Sequence, residues 1–469
     1  MFGKGTKVLF LIVVCTLIVS IACISQSSGG APATSPATSS VEKVGRPIKM
    51  AILGPMEHTH GKMAWWGASL AADEINNGKG PVGWKKKGIL VGDTLHPIEL
   101  IKVETNELAS VPDAVLAIER AITVDKADII LGGYRSEAIL AMQDIAAEYK
   151  RIFLNCGAHP SLTKRIQDDY DKYKYCFHIH GNANLVVFPY KESMRVAIDA
   201  VKNLGIKQPN IAVIAEKVLW TEPVIKMADG WIDEFGCKKA GLWQPSVTAT
   251  DLTTELTAIK NANPDIIYTI FGGPIGITFQ KQWTELKIPT ALCGNNQEAG
   301  ATAFWNATAG KADYAVTYAP ISRVAITPVT IPFWDNFEKL AGTTTTEIGV
   351  ELYDGVYIAA GAIERAKTFT DQEALVDALE ATDMVLAQGR IKFVGKNRAA
   401  PSDAMGLEYF YVHDRLFGPG YMTTVNIQWQ NGKIETIWPD NWHGITYEGT
   451  KPYQIAPWAV DAIKARAAR

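Results

Sequence analysis

Short apolar runs alternate with stretches of helical spacing along most of this chain, and the alternation occurs in two series. In the first, Ile48 to Leu53 reads as a buried strand that breaks at Gly54-Pro55. Met63 to Asn76 follows as a helix, with Leu70, Ala71, Glu74 and Ile75 recurring at three and four, and Asn77-Gly78 ends it. Leu95 to Val103 reads as a strand, Pro112 to Ala121 as a helix, and Ala127 to Leu131 as a strand running into Gly132-Gly133. Ser136 to Tyr149 is a helix and Ile152 to Leu154 a strand. The second series has helices over Leu185–Leu204, Pro223–Phe235, Leu252–Ala262 and Ile277–Leu286. Its strands are Ile211–Ala215, Ile266–Phe271 and Thr290–Cys293. Strands this short and apolar, separated by helices, predict parallel sheets covered on both faces. The expected fold class is therefore α/β, with two Rossmann-like doubly wound lobes. Ligands of such sheets bind in the loops beyond the carboxyl ends of the strands. The tail changes character: Tyr409 to His413, and Thr424 to Trp429 with Asn431-Gly432 and Lys433 to Trp438, alternate like antiparallel hairpin strands.

The amino terminus reads as an address. Lys4 and Lys7 precede an apolar run from Val8 to Ala22, the pattern of a secretory signal peptide over residues 1–22. Ser20-Ile21-Ala22-Cys23 resembles a lipobox with Ser20 in place of the usual Leu, which makes Cys23 the expected lipid attachment site; a plain signal or an uncleaved anchor is the alternative. Residues 23–45 are rich in Ser, Thr, Ala, Pro and Gly and read as a tether. The expected location is extracytoplasmic, on the outer face of the cell membrane, in the periplasm or at the cell surface. A length of 469 residues allows two or three domains. The formal charge of −3 argues against nucleic acid as a partner. Of the six cysteines, Cys156, Cys176, Cys237 and Cys293 lie in the body with no C-x-x-C pair; they are either buried thiols or one or two disulfides, for example Cys156 with Cys176.

Particular residues carry a family resemblance. Ile48 to Pro55, Gly67-Ala68 and Ala71 to Asn76 resemble the opening of the leucine/isoleucine/valine-binding type of periplasmic binding protein, the type I solute-binding proteins of branched-chain amino acid ABC transporters. Ile130 to Gly133 with Ser136, Pro160 to Thr163, Ile211 to Ile214, Glu351 to Val356 and Gln428 to Lys433 fit the same family in the same order. The resemblance implies a clamp of two lobes joined by a three-strand hinge. Lobe one would take residues 47–180 plus 320–400, lobe two 181–319 plus 401–445, and residues 446–469 a C-terminal tail. It further implies a monomer without cofactor that closes on a small ligand and docks on an ABC-transporter permease. The ligand would be a branched-chain amino acid or a related small carboxylate or amide.

Helix starts hold anions through unpaired N–H groups, and two of them fall in lobe one: Tyr134-Arg135-Ser136 and Cys156-Gly157-Ala158. By the resemblance, Ser136 holds a ligand carboxylate; the plain alternative is a helix cap, and the two roles can coexist. Ala158 stands where leucine-type binders place a Thr, and His60 where they place an aromatic. Trp220 stands at the position of a ligand-covering Tyr, and Gly273 lies in a pocket loop that has lost the family's Tyr residues. For the acid that holds a ligand ammonium, the alignment leaves two candidates, Asn296 and Glu298. Glu216 and Glu222, flanking Trp220, read as solvated loop charges. His58, His60, His159, His178 and His180 fall in cleft or hinge loops, and no metal site is expected of them. The chain has no G-x-S-x-G, H-E-x-x-H or P-loop, so no enzyme is expected. A sensor of the same fold that signals to a partner is the alternative to a transport receptor.

Overall fold

In the computed structural model the described residues are 43–181, 187–397, 410–439 and 441–469. The leader, Cys23 and the tether as far as residue 42 lie outside them. Lys43 and Val44, read as the end of the tether, instead pair in parallel with Thr94 and Leu95.

The first lobe holds a five-stranded parallel sheet in the order Ile98–Glu104, Ile48–Gly54, Ile129–Gly132, Phe153–Asn155, Cys176–His178. The four strands other than the edge strand Ile98–Glu104, whose Glu99, Lys102 and Glu104 are exposed, bury both faces. Along Ile48–Gly54, Met50 and Ile52 enter one apolar cluster while Ala51 and Leu53 enter another. This double burial explains why the strands read as continuous apolar runs. The second lobe repeats the plan with four parallel strands in the order Lys238–Trp243, Asn210–Ala215, Ile266–Phe271, Ala291–Asn296. Strand Lys238–Trp243 was not read from the sequence. It lies at the sheet edge, with Lys238, Lys239 and Leu242 exposed, so it lacks the apolar signature of its neighbours.

An antiparallel sheet of Val316–Ala319, Val425–Gln430 and Lys433–Trp438 includes the predicted hairpin. The other predicted tail strand does not form. Tyr409 lies outside the described residues, and Phe410 to His413 is a turn that leads to a single bridge between Phe393 and Arg415. The tail closes with helix Pro457–Ala467, which places Ala459 and Ile463 in the second-lobe core and joins Arg466 to Asp265 at 3.0 Å. Cys156, Cys176, Cys237 and Cys293 are buried free thiols. Among the described residues the chain passes between the lobes at three places: beyond strand Cys176–His178 at Gly181, after Ala319 at Pro320, and from Arg415 to Val425.

The first lobe is completed by helix Glu347–Ala366, buried from Glu347 to Ile363. It lies against helix Thr59–Asn77 so closely that a Cβ on Gly67 would fall onto the Gly349 carbonyl oxygen. Glu74 Oε2 accepts hydrogen bonds from Tyr353 at 2.7 Å and Tyr357 at 2.8 Å, two hydroxyls one turn apart on the same helix face. Gly67→Ala therefore forces the helices apart. It should lower unfolding stability in urea by about 1–3 kcal/mol, the usual range for overpacking; an unchanged midpoint would contradict this contact.

Candidate ligand-binding site

A pocket with about 560 Å³ of empty space lies between the lobes, at the carboxyl ends of both parallel sheets. The first lobe reaches it through two turns. Strand Ile129–Gly132 ends in Gly132 and Gly133, with φ of 103° and 78°, and this left-handed turn delivers Tyr134 and Arg135 to the wall. Strand Phe153–Asn155 delivers Cys156 and Ala158. In the second lobe, Glu216, Val218 and Trp220 follow strand Asn210–Ala215, and Gly272 follows Phe271. Tyr134 crosses the cleft and donates its hydroxyl proton to the Gly272 carbonyl. Gly272 is required there, because a Cβ would stand 2.7 Å from that hydroxyl. A second link runs from the Leu219 N–H to Glu137 Oε1 at 2.9 Å, so the lobes are closed on each other.

Among the sequence candidates, Tyr134, Arg135, Cys156, Ala158 and Trp220 line this pocket. Ser136, Gly157 and Gly273 do not. Ser136 is the first residue of helix Ser136–Glu148 and makes no cap; its Oγ accepts the His159 N–H at 3.2 Å, tying the two first-lobe turns together. The Gly157 carbonyl is taken by His178 Nε2, and the Gly273 N–H donates to Glu216 at 2.8 Å. The first helix start is also not vacant. Buried Glu107 accepts the N–H groups of Tyr134 at 2.9 Å and Arg135 at 2.7 Å, so a carboxylate of the chain itself holds this anion position.

Neither Asn296 nor Glu298 lines the pocket. Asn296 ends its strand with Nδ2 bonded to the Gly276 carbonyl at 3.0 Å. Glu298 turns toward Thr59 and His60 behind the wall. Burial lowers His60 to about 3, so the ring is neutral and its 3.7 Å approach to Glu298 is not an ion pair. His60 packs beneath Tyr134, with ring centroids 4.3 Å apart. The residue between the two candidates, Gln297, is the one that faces the pocket.

The acids of the pocket are Glu216 and Glu347. Glu216 is buried, contrary to its reading as a solvated charge. Its carboxylate accepts Trp220 Nε1 at 3.0 Å and the Gly273 N–H at 2.8 Å. Glu347 opens the buried helix and accepts the Tyr318 hydroxyl at 2.8 Å and Gln297 Nε2. Burial pushes both carboxyls up to about 7. Arg135 is the one basic side chain of the wall besides His180, and it is already engaged, with Nη1 on the Leu108 carbonyl at 3.2 Å and Nε 3.3 Å from Glu137. His180 reaches Glu351 at 2.7 Å and burial lowers its pKa. The wall therefore combines two carboxyls with the apolar surfaces of Leu108, Val218, Val247 and Trp220. It suits a small solute with a hydrogen-bond donor group at one end and an apolar body.

Glu216 carried a legible sign, since it immediately follows an apolar strand, where ligand loops begin. Glu347 lies one helical turn before the Glu351 to Val356 segment, but nothing local marks its direction. Leu108, Tyr190 and Val247 gave no local sign either. Of the cleft and hinge histidines, His178 pairs with Asp414 at 2.8 Å and His159 with Ser161 at 2.6 Å, each within the fold.

Comparison with known proteins agrees with this geometry. Residues 47–409 match the periplasmic binding protein family, and the chain belongs to it. The Leu/Ile/Val-binding protein homolog 7 of Brucella melitensis is 24% identical over 387 residues, covering 80% of this chain and 86% of the relative. The leucine-binding protein LivK of Thermotoga maritima superposes with a TM-score of 0.64 at 19% identity, over 83% of this chain and 97% of that one. LivJ of Streptococcus pneumoniae, in complex with isoleucine, gives 0.63 at 17% identity, over 84% and 100%. A solute-binding protein from R. palustris, in complex with benzoate, gives 0.63 at 15% identity, over 83% and 95%. The resemblance and the fold class read from the sequence are thereby borne out.

The raised carboxyls set a stability prediction. Between the ordinary carboxyl value and about 7, the folded protein holds protons on Glu216 and Glu347 that the unfolded chain has released. Stability without ligand must then fall as pH rises through that window. Melting temperatures from pH 5 to 8 should show the decline, and Glu216→Gln and Glu347→Gln should each flatten it.

Proposed function

We propose that this protein is the extracytoplasmic solute receptor of an ABC importer. It captures a small branched-chain amino acid, or a related small amine or amide, by closing its two lobes, and delivers it to a permease without chemically altering it. The observation that carries the reading is the closed interlobe pocket whose acids, Glu216 and Glu347, face apolar walls. A ligand ammonium or amide would meet the carboxyls, and an aliphatic side chain would meet Val218, Val247 and Leu108. The named relatives, with their leucine and isoleucine ligands, support the same class. We further propose that Cys23 carries a lipid that tethers the receptor to the outer face of the membrane, with the two lobes divided near residues 180 and 320, as the resemblance implies, and between Arg415 and Val425 rather than near residue 400.

Thermal-shift and calorimetric titration with leucine, isoleucine, valine, their amides and small organic acids should show saturable binding of the amine or amide compounds. Binding confined to acids that lack a nitrogen donor would overturn the ligand class. For an ammonium ligand, affinity should fall as pH drops below about 7, because protonation of Glu216 and Glu347 removes the anionic partner. Glu347→Gln should weaken such a ligand about tenfold to a hundredfold, since a hydrogen bond to a charged group is worth about 1.5–3 kcal/mol. Cys23→Ser should release the protein from membranes; continued membrane retention would refute the tether.

A further inference from the structure

The hinge holds a second, small cavity, with room for one water-sized or slightly larger species, which all three chain crossings help to line: Gly181 on the first, Pro320 on the second, and Arg415 and Thr424 on the third. Arg415 is 1% exposed, and its Nε, Nη1 and Nη2 have no hydrogen-bond partner. Its nearest charge is Glu351 Oε1 at 3.7 Å, beyond hydrogen-bond reach. That oxygen is already engaged by His180 Nδ1 at 2.7 Å. Asp354 is turned away: it accepts Gln388 Nε2 at 2.9 Å and the Ala387 N–H at 3.1 Å. Three more buried polar atoms of the same cavity wall lack partners: Glu351 Oε2, Thr424 Oγ1 and Gln388 Oε1.

A buried guanidinium is stable only when its charge and its donors are met. Among the described residues no hydrogen-bond acceptor meets its donors, and the unpartnered atoms cluster on one cavity. We propose that the hinge cavity is a binding site for a small monovalent anion, of halide or formate size, held by the Arg415 guanidinium and the Thr424 hydroxyl. Tyr318, Pro320, Phe417 and Met422 form the rest of the wall and favour a weakly hydrated ion. A second negative charge would find no second cation in the wall. Burial pushes Glu351 up to about 8, so near neutral pH it is mainly the neutral acid and its unpartnered oxygen can donate.

The position gives the site a role. An ion bound to the third crossing bridges the segments on which the lobes must pivot. It also sits behind Glu351, whose partner His180 lines the ligand pocket. Occupancy would hold the crossings in the closed arrangement.

The test is thermal unfolding of the mature protein in bromide or formate against sulfate at constant ionic strength, with diffraction from bromide-soaked crystals. Ions that bind only the folded form raise the melting temperature saturably. The expected result is a saturable rise with bromide and formate, none with sulfate, and an anomalous peak beside Arg415. Arg415→Gln should lose the response. Gln388→Glu, which supplies a resident carboxylate at nearly constant volume, should lose it too. If Arg415→Gln does not fold, the bromide peak and Gln388→Glu decide. A shift equal in all variants, or a cavity that holds water only in bromide, would overturn the proposal.

Discussion

Helix Glu347–Ala366 is buried on nearly every side, and the rest of the molecule is arranged around that constraint. A helix enclosed in this way must find a partner for each polar group it carries inward. Tyr353 and Tyr357 find Glu74 on the neighbouring helix, and Asp354 finds Gln388 and the Ala387 N–H. Glu347 finds Tyr318 and Gln297 across the cleft. Gly67 and Gly349 allow the close approach that sets the depth of the helix. The same element therefore seals the first lobe, places one acid in the ligand pocket and places another at the hinge.

The cleft shows how a closed clamp handles charge. Its two acids, Glu216 and Glu347, are pushed to about 7 by burial, so near neutral pH each lies close to losing its proton. A cationic ligand that closes the lobes supplies the counter-charge these carboxyls lack, and closure and ionisation then favour each other. Anion recognition at the helix start, by contrast, is satisfied internally by Glu107. Its N–H groups anchor a loop, and the selectivity of the wall passes to the acids opposite.

The fold was largely legible. The parallel strands with both faces buried read as apolar runs, except Cys176–His178, which was not read, and the helices that were read fall within a few residues of the observed ones, Met63–Asn76 inside Thr59–Asn77 being the largest difference; helices Thr330–Ala341 and Gln372–Glu380 were not read. What escaped was what lies at an edge, such as Lys238–Trp243, or depends on a distant partner, such as the bridge at Arg415 in place of a strand near Tyr409. Five of the fourteen residues of the pocket wall were legible as positions after strands: Tyr134, Arg135, Cys156, Ala158 and Trp220. The acidic part was misplaced. The ammonium partner was sought at Asn296 or Glu298, whereas the structure turns Gln297 inward and brings Glu347 from a helix that starts fifty residues later in the chain.

By itself, the sequence determined the fold class, because alternation of buried strands with helices leaves few ways to cover both sheet faces. It also determined which loops border the cleft, since these follow from strand direction. Only the tertiary structure decided which side chains meet there. Whether Ser136 holds a ligand or the His159 N–H, whether a carboxyl is solvated or buried at about 7, and whether Arg415 has a partner all depend on groups far apart in the chain. Local periodicity records whether a position is inside or outside. The electrostatics of a site come from the residues that long-range packing brings around it, and no window of sequence contains them.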